Sequence, residues 1–581
     1  MNAVGIHDGH NASVALLKNG KIVYSLSEER IVRKKNQGGM PINAIRRLLN
    51  DENLDPSEID YVALCNIAPP RPEWMDRAKI MERYRIQCSA NSLGSGRIRG
   101  LSKKLMKTLQ TARYKSNKSA TERIDSLTSL GFDEKRIHIL DHHLCHAAAA
   151  YYSSGWSGDD ILVLTNDGGG DGLCASVNVI AGGKIKRVAE VKQENSYASL
   201  YGRATFLLGM VPLEHEYKVM GMAPYGNQAR ARVIADAILE YFEWPDESPL
   251  VWNKREKMPP TYLWGSLLES LFRYRRFDDI SAAMQIVAEE MSLKWIERCL
   301  SVTGARRLAL GGGLFMNVKL NKKILDLPGV DEMFIMPSCS DESNAIGAAY
   351  LGAVHTGATT DSLAPLRDLY LGARYSESSI QATIEEFVFS DRVDIDEPDD
   401  IEDRVATLLS QGEVVARYAG REEFGARALG NRSILSDPSQ LENIVKINKM
   451  IKQRDFWMPF AASMTEEQAK KNLVNAKNHF SPYMINTFDS IERKAENFKA
   501  ATHPYDGTVR PQVVKQSWNP GYHKIIRLFS EKTGRDGGVL NTSFNLHGYP
   551  IVSSPQDALN VFDRSGLRFM AIGSFLLSKR S

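Results

Sequence analysis

Apolar and polar positions alternate clearly at the start of the chain. The apolar segment AVGI is followed by the polar turn HDGHNAS, the apolar segment VALL, the pair Asn19-Gly20 and the segment KIVYSLSEE. Short apolar runs bounded by turn residues predict strands, and Asn-Gly between two such runs predicts a tight hairpin. Residues 3–26 are therefore predicted to form a strand, a polar turn, a second strand, a hairpin and a third strand.

The same order recurs about 158 residues later. Residues 161–191 read ILVLTN, DGGGDG, LCASVNVI, AGG and KIKRVAEV. Two copies of one unit predict a duplicated α/β domain whose two polar turns face each other across a cleft. Glycines in such turns let backbone N–H groups approach phosphate oxygens, although plain hairpin turns use the same residues.

A third glycine-rich turn follows in LALGGGLFMNVKLN, residues 308–321. An apolar strand enters three glycines and a helical pattern leaves them, which is where a phosphate would lie at a helix N-terminus. The next segment, FIMPSCSDESNAIGAA, places Asp341 before a run of small residues suited to close helix packing. Taken alone, Asp341 is interpreted as a helix-capping residue.

The stretch DHHLCHAAAAYYSSG contains three histidines within five residues. On a helix, His142 and His146 lie on one face about one turn apart, whereas His143 points elsewhere. That spacing suits two imidazoles binding one divalent metal. The alternative is a helix start whose histidines pack or face solvent.

The sequence becomes loop-like near residues 355–370, where Gly, Thr and Pro are frequent. We place a domain boundary there, between residues 362 and 363. In the C-terminal part, apolar strands end in Arg, Lys, Ser, Asn or Thr, as in VVARYAGREEFGARALGNRSILSDP and GGVLNTSFNLHGYPIVSSP. Such side chains converge on phosphate and carboxylate oxygens through charge-assisted hydrogen bonds.

Composition narrows the class of protein. The chain has 581 residues with 73 basic and 70 acidic side chains, so overall charge favours neither a nucleic-acid nor a membrane-surface protein. Its six cysteines form no CxxC pair, and neither a signal peptide nor a long apolar run is visible. We therefore expect a cytoplasmic protein without a disulfide framework.

One segment departs from this balance. Residues 71–120 contain 13 Lys or Arg and three acidic residues, and we interpret about 71–125 as a basic helical insert. Most such runs are solvated faces, and a minority bind an anionic substrate. Nucleic acid is not an expected partner, because the insert is one patch in a neutral chain.

The motifs together identify a family. HNASVALL, HHLCHAAAAYYSSG, DGGGDG, HEYKVMGMAPYG, GGGLFMNVKLN, SDESNAIGAA, EFGARALGNRSIL, KQRDFWMPFA, DGTVRPQVV and NTSFNLHGYPIV occur in order over nearly the whole chain. In these motifs the chain resembles the O-carbamoyltransferases of antibiotic and nodulation-factor biosynthesis, of the tobramycin O-carbamoyltransferase type.

The resemblance implies an α/β chain of two modules. Residues 1–362 would form a duplicated actin/Hsp70-like (ASKHA) module, and residues 363–581 an α+β YrdC-like module. The C-terminal module would use ATP and carbamoyl phosphate to form carbamoyl adenylate. The N-terminal module would then transfer the carbamoyl group to a hydroxyl of a small-molecule or sugar-containing acceptor.

The resemblance also implies site residues, each at the matching position of this sequence. The expected metal is Fe²⁺, with Mg²⁺, Mn²⁺ or Zn²⁺ as alternatives, and its ligands are His142, His146, Asp167 and Asp341. His10 is the expected catalytic residue and His7 the weaker candidate. The N-terminal nucleotide site would comprise Gly168, Gly169, Lys218, Gly312, Gly313 and Asn317. The carbamoyl phosphate and ATP site would comprise Arg427, Arg432, Lys452, Arg454, Arg510, Ser543 and Asn545.

Within that last set, Lys452 and Arg454 form a KxR pair that, on a strand, would present both cations to one phosphate. Each Arg and Lys has a structural salt bridge as its alternative role. Met458 and Tyr549 depart from residues common in the family. Two other functions stay open: carbamoylation of a nitrogen or sulfur acceptor, as in tRNA- or protein-modifying relatives, and an actin-like ATPase switch. A homodimer is the expected state.

Overall fold

The computed structural model describes residues 1–70, 77–89 and 117–580, so most of the basic insert lies outside the described residues. The chain forms two compact units. The first unit comprises Met1–Glu28, Asn36–Met316 and Leu327–Leu366. The second unit comprises Glu29–Lys35, Asn317–Asp326 and Arg367–Ser581, so it includes two short segments from the N-terminal half of the chain.

The first sheet of the first unit confirms the three strands predicted at the start of the chain. Its strand order is β3-β2-β1-β4-β5, with β1–β3 antiparallel and β4 and β5 added in parallel. The hairpin between β2 and β3 has the predicted Asn19-Gly20 turn, with positive φ at both residues. The strands are β1 Asn2–His7, β2 Ser13–Lys18, β3 Lys21–Ser27, β4 Tyr61–Cys65 and β5 Ile137–Leu140.

The second sheet repeats this order, which confirms the predicted duplication. Its order is β8-β7-β6-β11-β12, again three antiparallel strands followed by two in parallel. The predicted DGGG turn is instead part of β6, because Gly170 still pairs with Leu173 across a bulge. The strands are β6 Ile161–Gly170, β7 Leu173–Ala181, β8 Lys184–Lys192, β11 Arg307–Gly311 and β12 Glu332–Ile335, with a separate pair β9 Phe242–Glu243 and β10 Asn253–Lys254.

Two equivalent helices follow the last strands of the two copies and pack on each other. Helix His142–Ser154 follows β5, and helix Asn344–His355 follows β12. A Cβ atom at Gly347 would lie 1.8 Å from the carbonyl oxygen of Cys145, so the small residues permit the predicted close packing. The other helices of the first unit are Ile42–Asp51, Arg77–Ser89, Asn117–Thr128, Ala198–Leu207, Glu216–Met222, Gln228–Leu239, Gly265–Phe272 and Phe277–Thr303.

The second unit is a mixed sheet with helices and a smaller three-stranded sheet. The large sheet has the order β13-β23-β22-β14-β15-β21-β16-β20, and the small one β17-β18-β19. The strands are β13 Val393–Asp396, β14 Val415–Tyr418, β15 Arg432–Ser436, β16 Ala461–Thr465, β17 Leu473–Val474, β18 Phe488–Ser490, β19 Thr508–Val509, β20 Pro511–Val514, β21 Val539–Ser543, β22 Phe569–Ile572 and β23 Phe575–Lys579.

Helices cover this sheet on both faces, and each face has its own buried apolar cluster. The helices of the second unit are Val318–Asp326, Glu377–Glu386, Ile401–Ser410, Glu442–Ile447, Glu466–Asn472, Pro520–Thr533 and Pro555–Asp563. The short helix Glu28–Val32 spans the start of the Glu29–Lys35 segment. In the described part of the chain, no helix has both the length and the apolar character needed to cross a bilayer.

Candidate metal centre and phosphate site

Four side chains from three elements converge in the first unit. One ligating atom each from His142, His146, Asp167 and Asp341 lies within 4.8 Å of the other three, and all four residues are buried. The His142 Nε2 atom lies 2.8 Å from Asp167 Oδ2, and the His146 Nε2 atom lies 3.4 Å from Asp341 Oδ1. The structure thus brings together the four residues that the resemblance assigned to one metal.

Local geometry explains why these residues meet. The Asp141 side chain accepts a hydrogen bond of 2.7 Å from the Leu144 N–H, so the helix begins at His142. Gly170 at the end of β6 lets His142 approach, because a Cβ there would lie 2.3 Å from its ring. Asp341 opens the helical turn Asp341–Ser343, as its place in the sequence indicated, but Ser340 occupies the capping position. The Asp341 carboxylate instead faces the histidines.

The acids and the imidazoles compensate one another. Burial alone would raise the pKa of Asp341, but His10, His142 and His146 outweigh it and hold that pKa well below its usual range. Burial alone would lower the pKa of His142, but Asp341 and Asp167 outweigh it and raise that pKa well above its usual value. The centre therefore holds its own charges by pairing opposite signs.

His143 and the two candidate catalytic histidines lie around this centre. The ring of His143 is buried and its Nδ1 lies 2.8 Å from the Thr165 hydroxyl, outside the set of four. His10 has a side chain 22% exposed, and its Nδ1 lies 3.2 Å from Asp341 Oδ2. His7 is enclosed and directs Nε2 at the His10 carbonyl oxygen, 3.1 Å away. Burial lowers the pKa of His7 to about 3, and of the two histidines His10 has the more exposed side chain.

An asparagine that the sequence analysis missed orients His142. The Asn66 Oδ1 atom lies 2.7 Å from His142 Nδ1, so Nδ1–H donates to it and the ring is held with Nε2 directed at Asp167. Asn66 has φ +76 at the end of β4, and its backbone is held by Arg123, which also pairs with the buried Asp8. A polar residue just after the buried strand YVALC was the available signal.

A carboxylate that the sequence analysis also missed fixes the backbone at the same place. Asp171 accepts hydrogen bonds from the N–H groups of His142 at 2.8 Å, Ile67 at 3.0 Å and Ala68 at 2.7 Å. It thereby ties the turn after β6 to the start of the helix and to the segment after β4. The DGGGDG motif contains Asp171, but its contacts depend on tertiary structure.

The predicted nucleotide residues of the first unit lie in the glycine-rich turns. Gly312 has φ +101, and a Cβ there would lie 2.4 Å from the Asn166 carbonyl oxygen, so the ends of β6 and β11 approach closely. Gly168 is exposed with open space around it, Gly169 has φ +137, and Gly313 follows Gly312 at the start of the helical turn Gly313–Met316.

The other two predicted nucleotide residues lie on helices. Lys218 is half-buried on helix Glu216–Met222. Asn317 is counted with the second unit, and its Oδ1 accepts a hydrogen bond from the Leu320 N–H at the start of helix Val318–Asp326. This cap is a structural role for Asn317.

The second unit contains a cluster of cations at the end of β21. Lys452 Nζ donates to Asn545 Oδ1 at 2.7 Å and to Ser543 Oγ at 3.1 Å, and Arg454 donates to the Thr542 hydroxyl at 2.8 Å. Burial, followed by the charges of Arg454 and Lys35, lowers the pKa of Lys452 well below its usual value. The neighbours that shift this group are themselves cations.

Arg510 extends the same cluster. Burial, followed by the charges of Arg427 and Arg454, lowers the pKa of Arg510 well below its usual value. The Arg510 Nε atom is buried and has no hydrogen-bond partner among the described residues. Buried cations that repel one another favour a bound anion, and guanidinium groups match phosphate oxygens. We name the cluster formed by Arg427, Lys452, Arg454, Arg510, Ser543 and Asn545 the phosphate site, after the ligand that we predict for it.

One expectation for this region needs correction, and one stays a prediction. The KxR pair is not on a strand: Lys452 ends the π-helical turn Asn448–Lys452, and Gln453 has φ +46. This turn brings both cations to β21. Arg432 is fully buried, lies 3.7 Å over the Tyr418 ring and donates to the Ala419 carbonyl oxygen at 2.8 Å. Its guanidinium donates to backbone carbonyl oxygens and not to a carboxylate, so no salt bridge of the alternative kind is seen among the described residues, and its role in ligand binding stays a prediction.

The four residues of the first unit fit a divalent metal. Two imidazole nitrogens and two carboxylate oxygens form a mixed donor set that suits a first-row ion. Asp167 Oδ1 is buried without a hydrogen-bond partner among the described atoms. A buried carboxylate oxygen of this kind is satisfied by a cation.

Comparison with known proteins extends this picture along the chain. A family model described as Carbamoyltransferase N-terminus matches residues 2–350, and one described as Carbamoyltransferase C-terminus matches residues 406–579. Nodulation protein NolNO of Sinorhizobium fredii is 31% identical over 98% of this chain and 79% of its own length. The 3'-hydroxymethylcephem-O-carbamoyltransferase of Amycolatopsis lactamdurans is 28% identical over 46% of this chain and 48% of its own length.

Solved structures are more distant. Full-length HypF in its phosphate- and nucleotide-bound form is 14% identical, covers 62% of this chain and 56% of its own, and has a TM-score of 0.32. At this identity and TM-score, the HypF structure says nothing about the function of this chain. The two family models and NolNO confirm what the motifs indicated, and the chain belongs to the carbamoyltransferase family and is a transferase.

Proposed function

We propose that the chain catalyses ATP-dependent transfer of a carbamoyl group from carbamoyl phosphate to a hydroxyl of a small-molecule or sugar-containing acceptor. The observation that carries this proposal is the buried cluster of Lys452, Arg454 and Arg510, whose mutual repulsion a phosphorylated substrate relieves. The relative named 3'-hydroxymethylcephem-O-carbamoyltransferase supports a hydroxyl acceptor by its name. In this proposal the first unit is the actin/Hsp70-like module and the second unit the YrdC-like module.

The first reaction belongs to the second unit. Water releases phosphate from carbamoyl phosphate and leaves carbamate. A carbamate oxygen attacks the α-phosphate of ATP, the bond to pyrophosphate breaks, and carbamoyl adenylate forms. Lys452, Arg454 and Arg510 bind phosphate oxygens and offset their charge, which is the main catalytic contribution that a protein makes to phosphoryl chemistry.

The second reaction belongs to the first unit. The acceptor oxygen attacks the carbamoyl carbon, the bond from that carbon to the AMP oxygen breaks, and AMP leaves. His10 accepts the hydroxyl proton at Nε2, while Asp341 accepts the hydrogen bond of its Nδ1–H and fixes the ring. A divalent ion, when held by His142, His146, Asp167 and Asp341, supplies positive charge near the nucleotide phosphate.

The test is product analysis with the full chain, ATP and carbamoyl phosphate. We expect AMP and pyrophosphate to form only when carbamoyl phosphate is present. With hydroxyl-bearing acceptors added in turn, mass spectrometry should show one carbamoyl group added at oxygen. ATP turnover to ADP that ignores carbamoyl phosphate would contradict the proposal and favour an actin-like switch. Transfer only to nitrogen or sulfur would contradict the hydroxyl acceptor.

A further inference from the structure

A short segment from the beginning of the chain is part of the second unit. Glu29–Lys35, with the sequence ERIVRKK, makes its contacts there, although the chain on either side belongs to the first unit. Helix Glu28–Val32 opens it, and Arg33 then has φ +58, which ends the helix. The proposed chemistry assigns this segment no role.

Arg33 holds the loop that carries Asn545. Its Nη1 donates to the Ile551 carbonyl oxygen at 2.6 Å, its Nη2 donates to that of Pro550 at 2.9 Å, and its Nε lies 3.3 Å from Asp557. A planar guanidinium can bind two adjacent carbonyls in this way, whereas an ammonium group lacks the fork. Arg33 therefore fixes the far end of the loop.

The near end of that loop is the phosphate site itself. Asn545 accepts from Lys452 through Oδ1, and its Nδ2 donates to the Tyr549 carbonyl oxygen at 2.8 Å. The loop is thus closed on itself by one side chain and held at its end by Arg33. Tyr549 takes part in this contact through its backbone carbonyl, and its side chain, which is the departure from the family pattern, is about half exposed.

Arg30 holds a second loop, which carries Arg427. Arg30 is buried, its Nη2 donates to the Gly425 carbonyl oxygen at 2.7 Å, and its Nη1 lies 3.7 Å from Glu422. The other end of this loop is fixed by Glu423, whose Oε1 accepts from the backbone N–H groups of Leu429, Asn431 and Arg432. Both loops that present groups to the phosphate site are therefore anchored to one segment.

The same segment adds charge. Lys35 is one of the two cations whose charge, after burial, lowers the pKa of Lys452. An ammonium group close enough to act on Lys452 also acts on an anion bound there. The segment is thus linked to the phosphate site by both hydrogen bonds and charge.

We propose that Arg30 and Arg33 are positioning residues of the phosphate site, holding the loops of Arg427 and Asn545 where they bind a phosphate-bearing substrate. The inference rests on the proposed function for the identity of that substrate, carbamoyl phosphate. It makes two arginines of the segment Glu29–Lys35 a requirement of a site whose hydrogen-bonding groups all follow residue 426.

The experiment uses the full chain with Arg33→Met, Arg33→Lys and, as a matched control, Arg46→Met at an exposed position of helix Ile42–Asp51. The readouts are KM and kcat for AMP formation from ATP and carbamoyl phosphate, the affinity for inorganic phosphate by calorimetry, and Tm. We expect Arg33→Met to raise KM and weaken phosphate binding by about 10- to 100-fold, since a displacement of about 1 Å has effects of this size. Arg33→Lys should show a smaller rise, and Arg46→Met none.

An Arg33→Met chain with the KM and phosphate affinity of Arg46→Met would overturn the inference. So would a fall in kcat that follows the loss of folded protein while KM stays constant. If Arg33→Met does not fold, the KM of Arg33→Lys decides the question. A wild-type chain that binds phosphate but forms no AMP from carbamoyl phosphate contradicts the proposed function, and calorimetry on the variants still tests Arg33.

Discussion

The metal centre of the first unit and the phosphate site of the second unit treat buried charge in opposite ways. Around His142, carboxylates and imidazoles shift one another toward their charged forms. Around Lys452, burial and then neighbouring cations lower the pKa values of Lys452 and Arg510, away from their charged forms. The first site offers two imidazoles and two carboxylates as donors for a cation, whereas the second brings together cations that favour an anion. The sign of the ligand that each site favours therefore follows from its own side chains.

The largest effect that separates the two sites is expected from His142→Ala. Loss of one of the four metal donors should abolish metal binding and lower the rate of carbamoyl transfer by more than about 100-fold. Mutation of a residue that only hydrogen-bonds to a metal ligand already lowers metal affinity or activity by about 10- to 100-fold. Metal content by mass spectrometry and transfer rate are the measurements. Carbamoyl phosphate-dependent AMP formation should persist. The exposed His138, changed to Ala, is the control. If His142→Ala lost AMP formation together with carbamoyl transfer, the two sites would not act separately.

The opposite result, loss of AMP formation with metal binding retained, is expected from Lys452→Met. Removing the cation that contacts Ser543 and Asn545 should lower AMP formation by about 100-fold, the scale seen when one stabilising donor is lost. The bound metal should be unchanged. The control is Lys449→Met, an exposed lysine on the same turn. A variant that also loses its metal would show that the two sites are not independent.

A smaller effect confined to the metal centre is expected from Asn66→Ala. Without the Asn66 Oδ1 acceptor, His142 loses the hydrogen bond that fixes its tautomer, and metal affinity should fall by about 10- to 100-fold. Titration with Mn²⁺ or Zn²⁺ measures it directly. Asn53→Ala, at an exposed asparagine that also has positive φ, controls for the backbone. Equal affinities in the two variants would contradict this role.

The smallest effect is a pH dependence of stability specific to the phosphate site. Because the folded-state pKa of Lys452 lies below the ordinary 10.5, the unfolded chain binds the extra proton between the two values. The free energy of unfolding of ligand-free protein should then rise with pH across that interval. Urea unfolding of wild type and Lys452→Met at several pH values measures it. If the free energy of unfolding had the same pH dependence in both proteins, the lowered pKa of Lys452 would be contradicted.

Much of the fold of the first unit follows from local sequence pattern. The three strands of each copy, the Asn19-Gly20 hairpin and the helix with His142 and His146 on one face depend on periodicity and turn chemistry over a few residues. The bulge that keeps the glycines of DGGG within β6 was missed, because it depends on pairing with β7.

The parts of the sites that sequence did not indicate depend on long-range contacts. Asn66 and Asp171 are ordinary turn residues until they meet His142 from different strands. Lys452 and Arg454 reach the same site because Lys452 ends a π-helical turn. The alternating pattern of apolar and polar residues, which indicates strands, could not reveal such a turn. The segment Glu29–Lys35 reads as the end of a strand unit, and only tertiary packing places it in the second unit.

The matching strand order of the two sheets has a consequence for how the centre is assembled. The copy that begins with β1 contributes the two histidines from its last helix, and the copy that begins with β6 contributes Asp167 from β6 and Asp341 from the turn before its last helix. Neither copy contains a complete donor set, so the four candidate ligands come together only when both copies are folded.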